Sequence, residues 1–281
     1  MTSVTLNGKV AIVTGANSGI GRITARELAL NGYHVFLACR SVERGQAVVN
    51  EIASLSDNSA KAEVLPLDLG DFDSVRRCAE TFLARELPLN LFIANAGIAG
   101  NKGRTASGFE MTFGTCHMGH FLLTHLLLDR IKTSAPARIV VVASEAHRDP
   151  KGIDFTKLKD NTKTLTGFPE YGVAKLSNVL FASELGRRLK GTGVTTYSLH
   201  PGVVATNVWR AVPWPIDRLM KYFMISDEEG AATTLYCALS PDVAEQTGLF
   251  YEECNLREPS ALAKDTALAA RLWKESESWI Q

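Results

Sequence analysis

A chain of 281 residues with 30 Lys+Arg against 30 Asp+Glu has no net charge, so nothing in it drives the counterion release on which nucleic-acid binding depends. Hydrophobic residues make up 46% and charged residues 21%, which excludes long disorder. A chain of this length buries roughly three quarters of its unfolded surface and needs no disulfide or metal staple.

The five cysteines, Cys39, Cys78, Cys116, Cys237 and Cys254, include no CxxC pair. An odd, unpatterned set suits a reducing compartment, and a cytoplasmic location is expected. The first nine residues are too polar for a signal peptide, and no apolar run reaches the ~18 residues of a spanning helix, so no integral membrane segment is expected.

Along the chain, apolar runs alternate in type. Residues 9–14 are short, β-branched and followed by glycine-rich sequence, the signature of a buried strand. Helical spacing over 20–31 predicts a helix that stops at Gly32. The pattern repeats as strand 34–39, helix 42–55, strand 62–67, helix 72–86 and strand 89–94. A long helix over 109–132 precedes strand 138–143, and a helix over 170–190 precedes strand 194–199. Residues 248–251 offer a seventh strand, and 265–279 a surface helix. Continuously apolar strands alternating with helices imply a parallel sheet covered on both faces. The predicted class is α/β: one doubly wound domain over 1–281 with a mainly parallel six- to seven-stranded sheet. Ligands of such sheets bind outside the carboxyl ends of the strands.

Residues 203–227 break the alternation. The stretch 208–225 holds Trp209, Pro213, Trp214 and Pro215. It reads either as a helix packed on the core or as a substrate lid, with Trp209 and Trp214 walling an apolar pocket.

Between the first strand and first helix lies Thr14-Gly-Ala-Asn-Ser-Gly-Ile-Gly21. Gly15, Gly19 and Gly21 supply a tight turn, close backbone approach to a pyrophosphate, and close helix–strand packing. Asn17, Ser18 and Ile20 complete the predicted cradle, and the helix N-terminus adds free N–H groups. No Gly-Lys-Ser/Thr follows, so a triphosphate P-loop is not expected. At the end of the second strand stands Arg40, where dinucleotide sites that read a ribose 2′-hydroxyl keep an acid. An arginine suits a 2′-phosphate instead, the plainer alternative being a solvated strand end. Asp68, with Leu69 beside it, is placed either to accept from an adenine amino group or to cap its own loop.

Tyr171 and Lys175 are one helical turn apart and share a face. A nearby ammonium favours a phenolate. With Ser144 at the end of the fifth strand they form a metal-free proton donor–acceptor set. His117 and His120 are three apart but have no third ligand at compatible spacing, so no metal is expected and packing or interface roles are.

Together with Asp68-Leu69, Asn95-Ala-Gly97 and His200-Pro-Gly202, these motifs make the sequence resemble the short-chain dehydrogenase/reductases, over about the whole chain. Residues 37–41, 119–124 and 272–276 resemble the branch of retinol dehydrogenases and WW-domain oxidoreductases, with neither a WW domain nor the membrane anchor of many retinol dehydrogenases expected. The resemblance implies a Rossmann domain binding NADP(H) and acting on a hydrophobic carbonyl or alcohol, retinoid- or steroid-like. It implies that Tyr171 is general acid in reduction and base in oxidation. Lys175 would bind the nicotinamide ribose and support Tyr171, and Ser144 would orient the substrate oxygen. Asn95, Ala96 and Gly97 would line the cofactor, and Pro201, Gly202, Val203 and Thr206 would close over the nicotinamide. Pairing through the helices from 109 and 170 would give a homodimer or homotetramer. Two departures stand out: Ala94 precedes Asn95 where the family has a second Asn, and Cys116 falls on the family's helix Asn, the fourth member of the relay. A cofactor-binding redox sensor with a disabled relay is the alternative function. A sugar-nucleotide epimerase is disfavoured by the GxxxGxG spacing and the short chain.

Overall fold

The computed structural model describes residues 5, 7–202 and 225–281. Strand β1 (Val10–Thr14) leads into α1 (Gly19–Leu30), β2 (His34–Cys39), α2 (Val42–Leu55), β3 (Lys61–Pro66), α3 (Phe72–Leu83) and β4 (Leu91–Ala94). A long helix, here α4, begins at Met111–Phe113, passes through one π-helical turn at Gly114–Met118 and continues over Gly119–Thr133. Then come β5 (Ala137–Val142), α5 (Phe168–Arg188), β6 (Val194–His200), α6 (Asp227–Leu239), β7 (Leu249–Glu252), β8 (Asn255–Arg257) and α7 (Thr266–Trp279). The sheet order is β3-β2-β1-β4-β5-β6-β7-β8, all parallel except the β7–β8 pair.

The sequence alternation is visible in how the two faces of the sheet pack. Val10, Ile12, Phe36, Phe92, Ile139 and Val141 point to one side, against Phe82 of α3, Phe121 of α4 and Leu180 of α5. Ala11, Val13, Val35, Leu37, Ile93, Val140 and Tyr197 point to the other, against Leu28, Val48 and Ala238. Register sets this: Ile12 lies opposite Phe36 and Phe92, while Val140 lies opposite Ile93 and Tyr197. Strands buried on both faces read as near-continuous apolar runs, and β1, β2 and β4 are buried at every position, with Thr14 and His34 the polar exceptions at a strand end.

Three elements differ from expectation. The eighth strand closes a hairpin on Glu253 and Cys254, both left-handed (φ 49° and 58°). Such turns usually carry Asn-Gly, and this one lacks the signature. Helix α6 was not expected, although Ser226 and Glu229 form a capping box at its start. Helix α7 is not simply a surface helix. It buries Ala269, Leu272, Trp273 and Ser276, and the Trp273 ring stacks on Phe181 of α5 and meets Phe121 of α4 edge-on, with centroids 5.9 and 5.1 Å apart.

One glycine fixes where α4 crosses the sheet edge. A Cβ on Gly119 would lie 2.3 Å from the Leu69 carbonyl oxygen and 2.7 Å from its Cβ. The obstacle is backbone, which cannot rotate away. Gly119→Ala should therefore lower unfolding stability by about 1–3 kcal/mol, in spite of alanine's better helix propensity. Urea denaturation measures this, and an unchanged midpoint would show that the crossing has slack.

Candidate active site

Strands β1 and β4 are neighbours whose connections leave in opposite directions, and the crevice at such a switch point opens at the strands' carboxyl ends. A cavity of about 830 Å³ runs along this edge. Gly15, Asn17, Ser18, Gly19, Ile20 and Gly21 line one part, Arg40, Asp68 and Leu69 another, and Asn95, Ala96 and Gly97 the middle. Ser144, Tyr171, Lys175, Pro201 and Gly202 line the remainder. Val203, Thr206, Trp209 and Trp214, with most of the 203–227 segment, lie outside the described residues.

The turn after β1 is shaped by its glycines. Gly15 and Gly19 are left-handed (φ 68° and 56°). A Cβ on Gly21 would lie 2.5 Å from both the Gly15 carbonyl and the Asn95 amide, so this glycine serves the contact between α1 and the loop after β4. Ser18 caps α1 in an extended conformation with no side-chain bond to the first turn, and that turn holds no acid. The first-turn N–H groups are thus not capped by a side chain, as an anion site requires.

Thr14 ties this turn to β4. Its Oγ1 accepts from the backbone N–H groups of Asn95 and Ala96, both at 2.9 Å. The Asn95 side-chain amide donates to the Thr14 carbonyl at 2.8 Å. Asn95 therefore lines the cavity while its amide holds β1.

Arg40 is exposed and lines the cavity with Arg44, which lies in the first turn of α2. The Ser41 hydroxyl caps α2 by accepting from the Arg44 backbone N–H. Asp68 spends Oδ1 on the Gly70 N–H at 2.9 Å, so it caps its own loop from a position on the cavity wall.

At the other end, Ser144 stands at the end of β5 and caps the short 3-10 turn Glu145–Arg148. His147 fixes that turn: its Nδ1 donates to the Ser144 carbonyl at 2.7 Å, and its Nε2 accepts from the Ser260 N–H at 3.1 Å. Burial holds His147 below the ordinary histidine range, consistent with this neutral ring. Helix α5 presses against the same turn, where a Cβ on Gly172 would lie 3.1 Å from the Ala146 carbonyl. Tyr171 and Ser144 thus share a rigid footing. Lys175 is 3% exposed, its Nζ donates to the Val142 carbonyl at 2.9 Å, and it lies 5.6 Å from the centroid of the Tyr171 ring. An ammonium has three donors. Val142 takes one, and the cavity wall is where the others can meet ligand hydroxyls.

Cys116 does not line the cavity. It is fully buried in the π-helical turn, where its Sγ accepts from the Ile98 N–H at 3.4 Å and lies 3.7 Å from the Ile98 carbonyl. Burial pushes the thiol up, so it stays protonated. His117 and His120 address different partners, Ser276 and the Thr14–Cys116 pair, which is the packing role. Burial pushes them down to about 3 and about 4, respectively.

Arg44, Thr115, Glu145, Asp149 and Phe168 also line the cavity and were not singled out in the sequence, and His200, quoted there within its motif but given no role, lines it too. Arg44 had a readable signal, a second arginine in the first helical turn that follows Arg40 and the capping serine. Glu145 and Asp149 follow Ser144 by one and five residues, while Thr115 in the π-helical turn and Phe168 at the start of α5 carry no pattern of their own.

A glycine-rich turn on an uncapped helix, a Ser-Tyr-Lys set and a doubly wound sheet define a dinucleotide-type oxidoreductase. The short chain dehydrogenase family model matches residues 9–156, and the chain belongs to that family. It is 44% identical to retinol dehydrogenase 12 of Mus musculus over 281 residues, covering 98% of this chain and 87% of that one. It is 45% identical to human retinol dehydrogenase 11 over 279 residues, with 98% and 86% covered. Identity to the WW domain-containing oxidoreductase of Danio rerio is 44% over 287 residues, with 98% and 69% covered. A crystal structure of an uncharacterized protein from Mycobacterium paratuberculosis superposes with a TM-score of 0.78 at 32% identity, covering 99% of this chain and 95% of that one. Among the described residues no helix is long and apolar enough to cross a membrane.

Proposed function

We propose that the protein is an NADP(H)-dependent oxidoreductase that interconverts a hydrophobic carbonyl compound and its alcohol by a Ser144–Tyr171–Lys175 relay. The observation that carries this reading is that one cavity joins the uncapped N-terminus of α1, the Arg40–Arg44 pair and the relay residues. A bound nicotinamide dinucleotide supplies or accepts the hydride. Its phosphates would be held by the first turn of α1 and a 2′-phosphate by the two arginines. Lys175, with donors beyond the one used by Val142, would hold ribose hydroxyls. Ser144 orients the substrate oxygen, and Tyr171 passes its phenolic proton to that oxygen in reduction and recovers it in oxidation. The class of substrate is inferred from the relatives' names, which specify retinol for two of them. The five cysteines are all free, in keeping with the proposed reducing, cytoplasmic setting.

One observation favours a second reading. Cys116 replaces the helix Asn of the family's relay, and its thiol is occupied by the Ile98 backbone. A nucleotide-binding sensor without turnover follows if that position must supply a strong side-chain donor. The test is NADPH consumption with retinaldehyde and a panel of aliphatic and aromatic aldehydes and ketones. Catalysed oxidation of NADPH by at least one lipophilic carbonyl is expected. Tight NADPH binding without turnover across the panel would install the sensor, and absence of nucleotide binding would overturn both readings.

A further inference from the structure

The buried ring of His120 sits between the two halves of the site and touches neither cavity nor solvent. It is 1% exposed. Its Nδ1 lies 2.9 Å from the Cys116 carbonyl, and its Nε2 lies 2.8 Å from Thr14 Oγ1. The tautomer follows from counting donors. A carbonyl only accepts, so Nδ1 carries the proton, and in a neutral ring Nε2 is the acceptor. The Thr14 hydroxyl has two acceptor positions, filled by the N–H groups of Asn95 and Ala96, and one proton. That proton has two candidate acceptors, His120 Nε2 at 2.8 Å and the Ile93 carbonyl at 3.3 Å, and the shorter contact takes it. Every polar atom of the set is then satisfied. Burial pushes the ring down to about 4, which keeps Nε2 an acceptor at neutral pH.

Each contact controls one half of the site. Through Thr14, the ring orients the hydroxyl that clamps the loop after β4, whose residues Asn95, Ala96 and Gly97 line the middle of the cavity. Through Cys116, it holds a carbonyl of the π-helical turn Gly114–Met118, where regular hydrogen bonding is interrupted. That turn lies beside the relay: a Cβ on Gly97 would be 3.4 Å from Lys175 Nζ and 3.6 Å from Cys116 Sγ.

We propose that His120 is a two-sided positioning residue: Nε2 sets the nucleotide-lining loop through Thr14, and Nδ1 sets the relay side through the Cys116 carbonyl. The proposal rests on the dinucleotide reading for its functional consequences but not for its structural ones. Two amides separate the two contacts. Asn places a donor near Nδ1 and cannot reach Thr14. Gln places an acceptor near Nε2 and leaves the Cys116 carbonyl unserved.

The experiment compares wild type, His120→Asn and His120→Gln by hydrogen–deuterium exchange of the full chain and by NADPH titration of tryptophan fluorescence. In His120→Asn, faster exchange is expected at residues 95–97, with NADPH Kd raised roughly tenfold, the effect of one buried hydrogen bond. In His120→Gln, faster exchange is expected at 114–121, with Kd within about threefold of wild type and kcat for any carbonyl that is turned over reduced. A merely structural histidine would loosen both regions alike in both variants, and that result overturns the proposal. If exchange crosses over as described while wild type binds no NADPH, the dinucleotide reading fails and the positioning role stands.

Discussion

Tyr171→Phe should bind NADPH within about threefold of wild type and turn over carbonyl substrates at least a hundredfold more slowly. A positioned acid–base group contributes roughly 10²–10⁴-fold. The substitution isolates that contribution because of what surrounds the ring. Tyr171 lies in the first turn of α5, 8% exposed, with its backbone N–H bonded to the Gly167 carbonyl at 3.0 Å. Among the described residues no protein group pairs with its hydroxyl, so removing the oxygen orphans nothing and should leave thermal stability unchanged. Phenylalanine keeps an aromatic face toward the Lys175 ammonium. A loss of turnover without a loss of stability therefore reports the proton. Single-turnover oxidation of bound NADPH is the measurement, and retention of more than about a tenth of the wild-type rate would remove Tyr171 from the acid–base role.

The strands and the phosphate-binding turn were legible because their physics is local. A strand buried on both faces is apolar along nearly its whole length, and β2 and α2 match the expected ranges end for end. Gly15 and Gly21 stand where a side chain would clash, and Gly19 where the backbone is left-handed, so the three announce the turn. Legibility failed where the cause is distant in sequence. Nothing in His120 itself says that Thr14, 106 residues earlier, will lie 2.8 Å away. His147 gives no sign that Ser260 will meet its ring. The β7–β8 turn is dictated by pairing between strands, not by Glu253 and Cys254. The buried face of α7 is legible as amphipathic spacing, but its partner Phe181 is not. Asp68 shows the limit of position alone: it lines the cavity, yet one carboxylate oxygen is already spent on its own loop.

Arg40→Ala should lower kcat/KM for NADPH by roughly tenfold, and the double change Arg40→Ala, Arg44→Ala by roughly a hundredfold or more, with kcat/KM for NADH little altered. A hydrogen bond to a charged group contributes about 1.5–3 kcal/mol, and tenfold corresponds to about 1.4 kcal/mol. Both guanidiniums are exposed, so screening places each at the low end of that range. Neither substitution should unfold the local structure. The Ser41 hydroxyl caps α2 through the Arg44 backbone N–H, which alanine retains, and neither arginine has an ion-pair partner among the described residues. The effect therefore depends on the 2′-phosphate, the one group that separates the two nucleotides. Salt sharpens the comparison: raising ionic strength from 20 to 300 mM, about fourfold in Debye length, should increase KM for NADPH in wild type more than in the double variant. A parallel loss of efficiency with both nucleotides would mean that the arginines support the fold of the strand end and not the phosphate. Equal wild-type efficiency with NADPH and NADH would mean that the missing acid at the end of β2, and not the arginine that follows, is what the site tolerates.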